Sequence, residues 1–239
     1  MNVVLLQCTP EPERLVALAA RLCYSPATIG DLQEEISRKD VRGLVRRVLA
    51  MGHASVLEHV TFTYGVEGIS RAASHQLVRH RIASYSQQSQ RYVTAEFGYV
   101  TPGTIGGTAA DGEGGPFRDR YRKHMKAGAK LYGEMVKAGI PPEDARFVLP
   151  NATETKILVT MNARELHHFF ALRTCRRAQW EIRAMAMEML RIAKAKAPLL
   201  FEDAGPGCRR GRCPEGKMSC GDARGVRREI EALSGGERA

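Results

Sequence analysis

The chain has 239 residues, 44% of them hydrophobic, which is enough for one substantial buried core. No apolar run approaches the roughly 20 residues of a membrane-spanning helix, and the start MNVVLLQCTPEPE lacks the basic beginning and long apolar middle of a signal peptide; a cytoplasmic protein with reduced thiols and no membrane partner is expected. A formal charge of +10 and a pI near 9.6 favour anionic partners (nucleotides, phosphorylated cofactors or nucleic acid), and residues 205–239 carry only +3 of it, so the basicity is not a tail on a neutral body.

NVVLLQC (2–8) reads as a short buried strand, and Thr9-Pro10 opens a helix with Leu15, Leu18, Ala19 and Leu22 on one face. Asp40 is the expected N-cap of a helix over VRGLVRRVLAM, with Val41, Leu44, Val45 and Val48 at helical spacing and Gly52 stopping it. VTFTYGVE then alternates, sending Val60, Phe62, Tyr64 and Val66 to one face and Thr61, Thr63 and Glu67 to the other. Ser70 caps a helix through RAASHQLVRHRI, which gives way to a polar loop. Residues 101–116 form a Gly-rich surface loop without the G-x-G-x-x-G of a dinucleotide fold. A long amphipathic helix fits 117–138, with Tyr121, Met125, Tyr132 and Met135 inward as core, and Pro141-Pro142 starts a short helix over EDARFVL. KILVTM is another strand, Asn162 caps a helix over ARELHHFFALR, and a long helix runs from about Gln179 to Lys196. After Phe201 no periodicity is visible. The expectation is an α+β fold, a single domain at 1–204 with long helices packed on a mainly antiparallel sheet, followed by a Cys/Arg/Gly-rich tail at 205–239.

The stretch RHRIASYSQQSQRY (79–92) concentrates arginine, histidine, hydroxyls and amides without the Lys/Glu mixture of an ordinary surface. If it begins on a helix, Arg79 and Arg81 point in nearly opposite directions, with His80 between them, and address two separate anionic or electron-rich ligands. Gln76, one turn earlier, adds an amide able to read a base edge. Ser84, Ser86, Gln87, Gln88, Ser89, Gln90 and Arg91 suit a phosphate and a pyrimidine edge, with Arg91 able to grip phosphate bidentately. G-x-S-x-G is absent and no Ser/His/acid trio is legible, so a serine hydrolase is disfavoured. A nucleotide site is the favoured reading; a solvated helix end, or RNA binding through Arg79, Arg81, Tyr85 and Tyr92, stays open.

Arg79-His80-Arg81, seven residues and then Ser89 form an R-H-R-x7-S pattern. With GHASVLEHVTFTY upstream, and ARFVLP and MNARELHHFFALR…AQWEIRAMA downstream, the chain resembles the flavin-dependent thymidylate synthases over roughly residues 1–204. The resemblance implies a homotetramer with active sites assembled from several subunits, acting on dUMP with methylenetetrahydrofolate, NADPH and FAD, and using no cysteine nucleophile on uracil. It assigns His53, Ser55, Arg79, His80, Arg81, Asn162, Arg164 and His168 to the flavin. Gln76, Arg79, Ser89, Arg91, Arg146 and Arg173 go to dUMP, with Gln88 and Gln90 in the same stretch and Gln87 near both ligands. Arg173 would polarise the uracil ring. Many relatives carry a glutamate where this chain has Gln87, so only a hydrogen-bonding role transfers there.

Cys208, Cys213 and Cys220 are spaced C-x4-C-x6-C, without the close C-x2-C pair that zinc sites favour. No metal is therefore expected and the tail is read as reduced, with a site completed by a ligand from elsewhere as the alternative. Cys175 reads as a buried structural thiol.

Overall fold

A computed structural model describes residues 1–93, 97–106 and 117–233. A four-stranded sheet in the order β1-β2-β4-β3 is built from β1 (Asn2–Cys8), β2 (Thr61–Ser70), β3 (Ala83–Gln87) and β4 (Glu154–Asn162). Its strands run antiparallel, as the α+β reading anticipates: the Thr9 amide donates to the Thr61 carbonyl, that of Arg71 to Thr153 and that of Gln88 to Lys156, each at 3.0 Å. β2 alternates as its sequence predicts, with Val60, Phe62, Tyr64 and Val66 buried and Thr61 and Glu67 exposed. β1 does not form the buried strand expected. It lies at the sheet edge, where only Val3 is buried and Val4 and Leu6 are exposed.

The chain divides into two compact units. The first holds Met1–Asn2, Val66–Arg79 and Tyr85–Leu158. Here α4 (Arg71–Leu77) is capped by Ser70, whose hydroxyl accepts from the Ala73 amide at 3.0 Å. α6 (Arg118–Lys137) buries Met125 and Tyr132, while Tyr121 and Met135 are only half-buried. The Tyr132 ring meets Phe97 edge-on at 5.9 Å. The short α7 (Pro142–Ala145) starts at the proline pair, as predicted. Of the expected Gly-rich loop, residues 103–106 make a helical turn, α5 (Gly103–Gly106), and residues 107–116 lie outside the described residues.

The second unit holds Val3–Gly65, His80–Ser84 and Val159–Ala239. α1 (Pro12–Leu22) starts two residues later than predicted and buries Val16, Ala17 and Ala20, not the leucine face. Those smaller side chains pack it against α2 (Ile29–Arg38) and α3 (Arg42–Ala50), and Leu22 is left exposed at its end. α2 was not anticipated, although Thr28 and Asp31 close a full capping box at its start. The N-cap of α3 is Val41 and not Asp40; the Asp40 carboxylate nonetheless accepts from the Arg42 amide at 3.0 Å. α8 (Ala163–Arg173) and α9 (Trp180–Lys196) match expectation, with Asn162 and Gln179 as side-chain caps. The aperiodic C-terminal stretch leads into α10 (Ala223–Ala232), capped by Asp222 and burying Val226 and Ile230 four residues apart. Among the described residues no helix is long and apolar enough to cross a membrane.

Phe201 organises the aromatic core of the second unit. It meets Phe62 edge-on at 5.4 Å and Phe170 at 5.9 Å, and stacks on His167 at 5.2 Å. Because the side chain is fully buried, Phe201→Ala should lower unfolding free energy by about 3–5 kcal/mol in a urea titration. An unchanged midpoint would remove it from the core.

Candidate active site

The R-H-R stretch does not continue the helix before it. α4 closes at Leu77, so the opposed helical directions expected for Arg79 and Arg81, and the shared face of Gln76 and Arg79, do not arise. The chain turns sharply instead: His80 is buried, while Arg79 and Arg81 are exposed. The polar loop expected after Ile82 is strand β3, so Ser84 and Ser86 alternate with Tyr85 and Gln87, facing the exposed side.

His80 lies along α8. Glu165, Phe169 and Arg173 follow one another at intervals of four and therefore share one helix face. His80 Nδ1 is 3.3 Å from Glu165 Oε1, the Phe169 ring meets the imidazole edge-on at 4.9 Å, and Arg173 Nε donates to His80 Nε2 at 3.0 Å. A guanidinium can only donate, so Nε2 carries the lone pair and Nδ1–H points to Glu165. Burial, then Arg173 and His168, push His80 down to about 4. Burial raises the Glu165 carboxyl, with His168 opposing. His80 is thus a neutral imidazole at neutral pH, and that is why it can accept from Arg173 instead of repelling it. His168, exposed, stands 5.8 Å ring to ring from His80.

Asn162 starts α8, its side-chain oxygen accepting from the Glu165 amide at 2.8 Å, and the same cap fixes where Glu165 enters the core. Arg164, one residue along, faces out and pairs with Glu58. His53 and Ser55 are both exposed in the turn between α3 and β2. A cavity of about 660 Å³ opens beside them, lined by Gly52, Ala54 and Leu57, by Arg46, Arg164 and Arg210, and by the acids Glu202 and Asp203; Arg46 pairs with Glu202, so the size suits a cofactor while the charge is mixed.

In the first unit the expected substrate residues gather around cations. Arg91 pairs with Glu143 at 2.5 Å, and Arg146 Nε donates to the Glu143 carbonyl at 3.0 Å. Arg71 donates to the Gln88 carbonyl at 3.4 Å; its guanidinium is depressed by burial and by the proximity of Arg146. Three guanidiniums held this near with one carboxylate make a site for an anion. Ser89 stands at the same turn, its hydroxyl accepting from the Arg91 amide at 3.1 Å. Gln87 donates to Ser74 at 2.9 Å and Thr155 at 3.1 Å, so it acts here as a donor where a carboxylate could only accept. Gln90 is buried and Gln76 half-buried.

The expected flavin residues other than Arg79 and Gln87 therefore fall in the second unit, and the expected dUMP residues other than Arg173 in the first. Sequence reasoning missed Glu165, Arg71 and Glu143. Glu165 carried a signal, the third helical position after an Asn cap; Arg71 and Glu143 carried none beyond charge.

A sequence profile of the family described as Thymidylate synthase complementing protein matches residues 4–199. The flavin-dependent thymidylate synthase of Geobacter sulfurreducens is 58% identical over 98% of this chain and 100% of its own length. Proteins of the same name from Clostridium tetani and Pyrococcus abyssi are 46% and 45% identical, over 93% and 91% of this chain and 94% and 91% of their own lengths.

The buried pair has a pH signature. The unfolded chain protonates His80 near 6.5 and the fold only near 4, so between these values the unfolded state binds more protons and stability falls on acidification. Glu165, with its raised carboxyl, has the opposite sign. Urea midpoints measured from pH 7 to pH 4 should therefore fall less steeply in His80→Asn and more steeply in Glu165→Gln than in the parent chain. Parallel profiles for all three would sink the account.

Proposed function

The chain belongs to the flavin-dependent thymidylate synthase family, and from that premise we propose that it is the enzyme that makes dTMP from dUMP by reductive methylation. Methylenetetrahydrofolate is the carbon donor, NADPH the reductant and FAD the bound cofactor. The observation that carries the reading is near full-length identity of 58% to a relative of that name, joined to a complete R-H-R-x7-S set. The protein works in the cytoplasm as a homotetramer whose sites draw on more than one copy.

FAD would be held by His53, Ser55, Arg79, His80, Arg81, Asn162, Arg164 and His168; the arginine and histidine donors suit its phosphates, and the cavity beside Gly52 and Ala54 offers room for part of it. Bound there and reduced, FAD would supply hydride chemistry for the methyl group. The dUMP phosphate is bound by Arg91, Arg146 and Ser89, assisted by Arg71, while Gln76, Gln87, Gln88 and Gln90 offer amides to the sugar and base. Glu143 occupies Arg91 at 2.5 Å and is the group that an incoming phosphate must outcompete. Arg173 stabilises the negative charge that builds on the uracil ring, which activates C5 without a covalent enzyme nucleophile. His80 is a positioning residue: kept neutral by burial, it holds Arg173 Nε and leaves the two Nη nitrogens to aim at the pyrimidine.

Purified protein should show flavin absorption, and anaerobic NADPH should bleach it faster when dUMP is present; a chain that stays colourless after incubation with FAD overturns the enzyme reading and favours RNA binding. Arg173→Ala should cut turnover by roughly 100-fold or more while changing FAD affinity little, and an active variant would remove its role. Arg146→Ala should weaken dUMP roughly 10- to 100-fold, as loss of a charge-assisted phosphate contact demands, with FAD content unchanged.

A further inference from the structure

Three cysteines of the C-terminal segment do not complete a metal site by themselves. The fold adds a fourth. Cys175 lies in the turn between α8 and α9, and its neighbour Arg176 reaches Asp222, two residues beyond Cys220, at 2.5 Å. Arg176 also pairs with Glu229 of α10, as does Arg183 of α9 at 2.5 Å. From the same helix Arg227 donates to the Cys208 carbonyl at 2.8 Å and to the Gly211 carbonyl at 2.9 Å. Gly207 packs so closely on Pro214 that a Cβ there would stand 2.7 Å from the ring, which folds the Cys208–Cys213 loop back on itself. Gly216 and Gly221 take positive φ, at 51° and 78°, and turn the chain back toward Cys220. Each contact draws one cysteine-bearing segment toward the others.

We propose that Cys175, Cys208, Cys213 and Cys220 together bind one thiophilic metal centre, a zinc ion or an iron–sulfur cluster, that pins the C-terminal segment to the α8–α9 turn. The ligand pattern is Cys175-x32-Cys208-x4-Cys213-x6-Cys220. Both occupants share one chemistry, four thiolates around a soft or borderline cation. Burial, and next the Cys213, Cys175 and Cys220 thiols, raise the Cys208 thiol, which puts the other three within electrostatic reach of it. The centre would carry about −2, and Arg177, Arg209, Arg210 and Arg212, each adjacent in sequence to a ligand or one residue beyond, bring the opposite sign to the same segments. Among the described residues, three ligand atoms come within 4.8 Å of one another only at His80, Glu165 and His168. The sulfurs thus stand wider than the ~3.8 Å edge implied by zinc–sulfur bonds of about 2.3 Å. Zinc would therefore draw the loops inward, whereas a four-iron cluster holds its thiolates farther apart.

The site stands independently of the proposed reaction. The full chain, purified anaerobically without a histidine tag, should contain either about one zinc or about four irons with four acid-labile sulfides per chain, and elemental analysis with sulfide assay tells the two apart. Cys220→Ser and Cys175→Ser should each lower the metal content at least about ten-fold, whereas Cys8→Ser and Cys23→Ser should leave it unchanged. Should a ligand variant fail to fold, the parent chain decides: before chelation four of its six thiols should resist a thiol reagent, and after chelation all should react. Parent protein with less than about one-tenth equivalent of zinc or iron, or ligand variants that keep their metal, would overturn the site.

Discussion

The hydrogen bond from Arg173 to a neutral His80 is the constraint around which the second unit's chemistry is arranged. It requires a histidine that stays unprotonated beside a guanidinium, and the fold meets this by burying the ring between Phe169 and Glu165 at the surface of α8. Glu165 in turn depends on the Asn162 cap, which sets the first turn of the helix and thereby the azimuth of every residue four apart along it. A cap, a carboxyl, an imidazole and a guanidinium thus form one chain of dependence. The same turn that buries His80 leaves Arg79 and Arg81 exposed on either side.

The first unit solves a different problem, keeping three arginines close without neutralising all of them. Glu143 takes Arg91 through its carboxylate and Arg146 through its carbonyl, and the Gln88 carbonyl takes Arg71. Backbone acceptors orient a guanidinium while leaving its charge uncompensated, so the cluster retains its attraction for an anion. Had carboxylates done the same work, the site would be structurally sound and electrostatically blank.

Much of this was legible in the sequence where a local rule applied without competition. β2, α8, α9 and the Ser70 and Asn162 caps follow from period and capping chemistry, and the R-H-R-x7-S residues announce themselves by their composition. What escaped depended on partners far along the chain. Helical continuity through Arg79-His80-Arg81 was the natural reading of RAASHQLVRHRI, yet pairing of residues 83–87 with β4 ends α4 early, a tertiary contact that outweighs helix propensity. α1 turned a different face inward because small residues pack closer than leucines. The cysteine spacing looked deficient because 32 residues separate the fourth thiol from the nearest of the other three.

The straps on α10 bear on where the catalytic part of this chain can be said to end. The family profile stops at residue 199, and the periodicity of the sequence fades soon after, so a fragment ending near residue 204 looks like a natural minimal enzyme. Such a fragment would strip Arg176 of Asp222 and Glu229 and Arg183 of Glu229, and uncover the surface that Val226 and Ile230 close; Arg176 stands three residues after Arg173. The final segment is better understood as a buttress on α9 and the turn before it, and a boundary drawn by sequence similarity would cut through it.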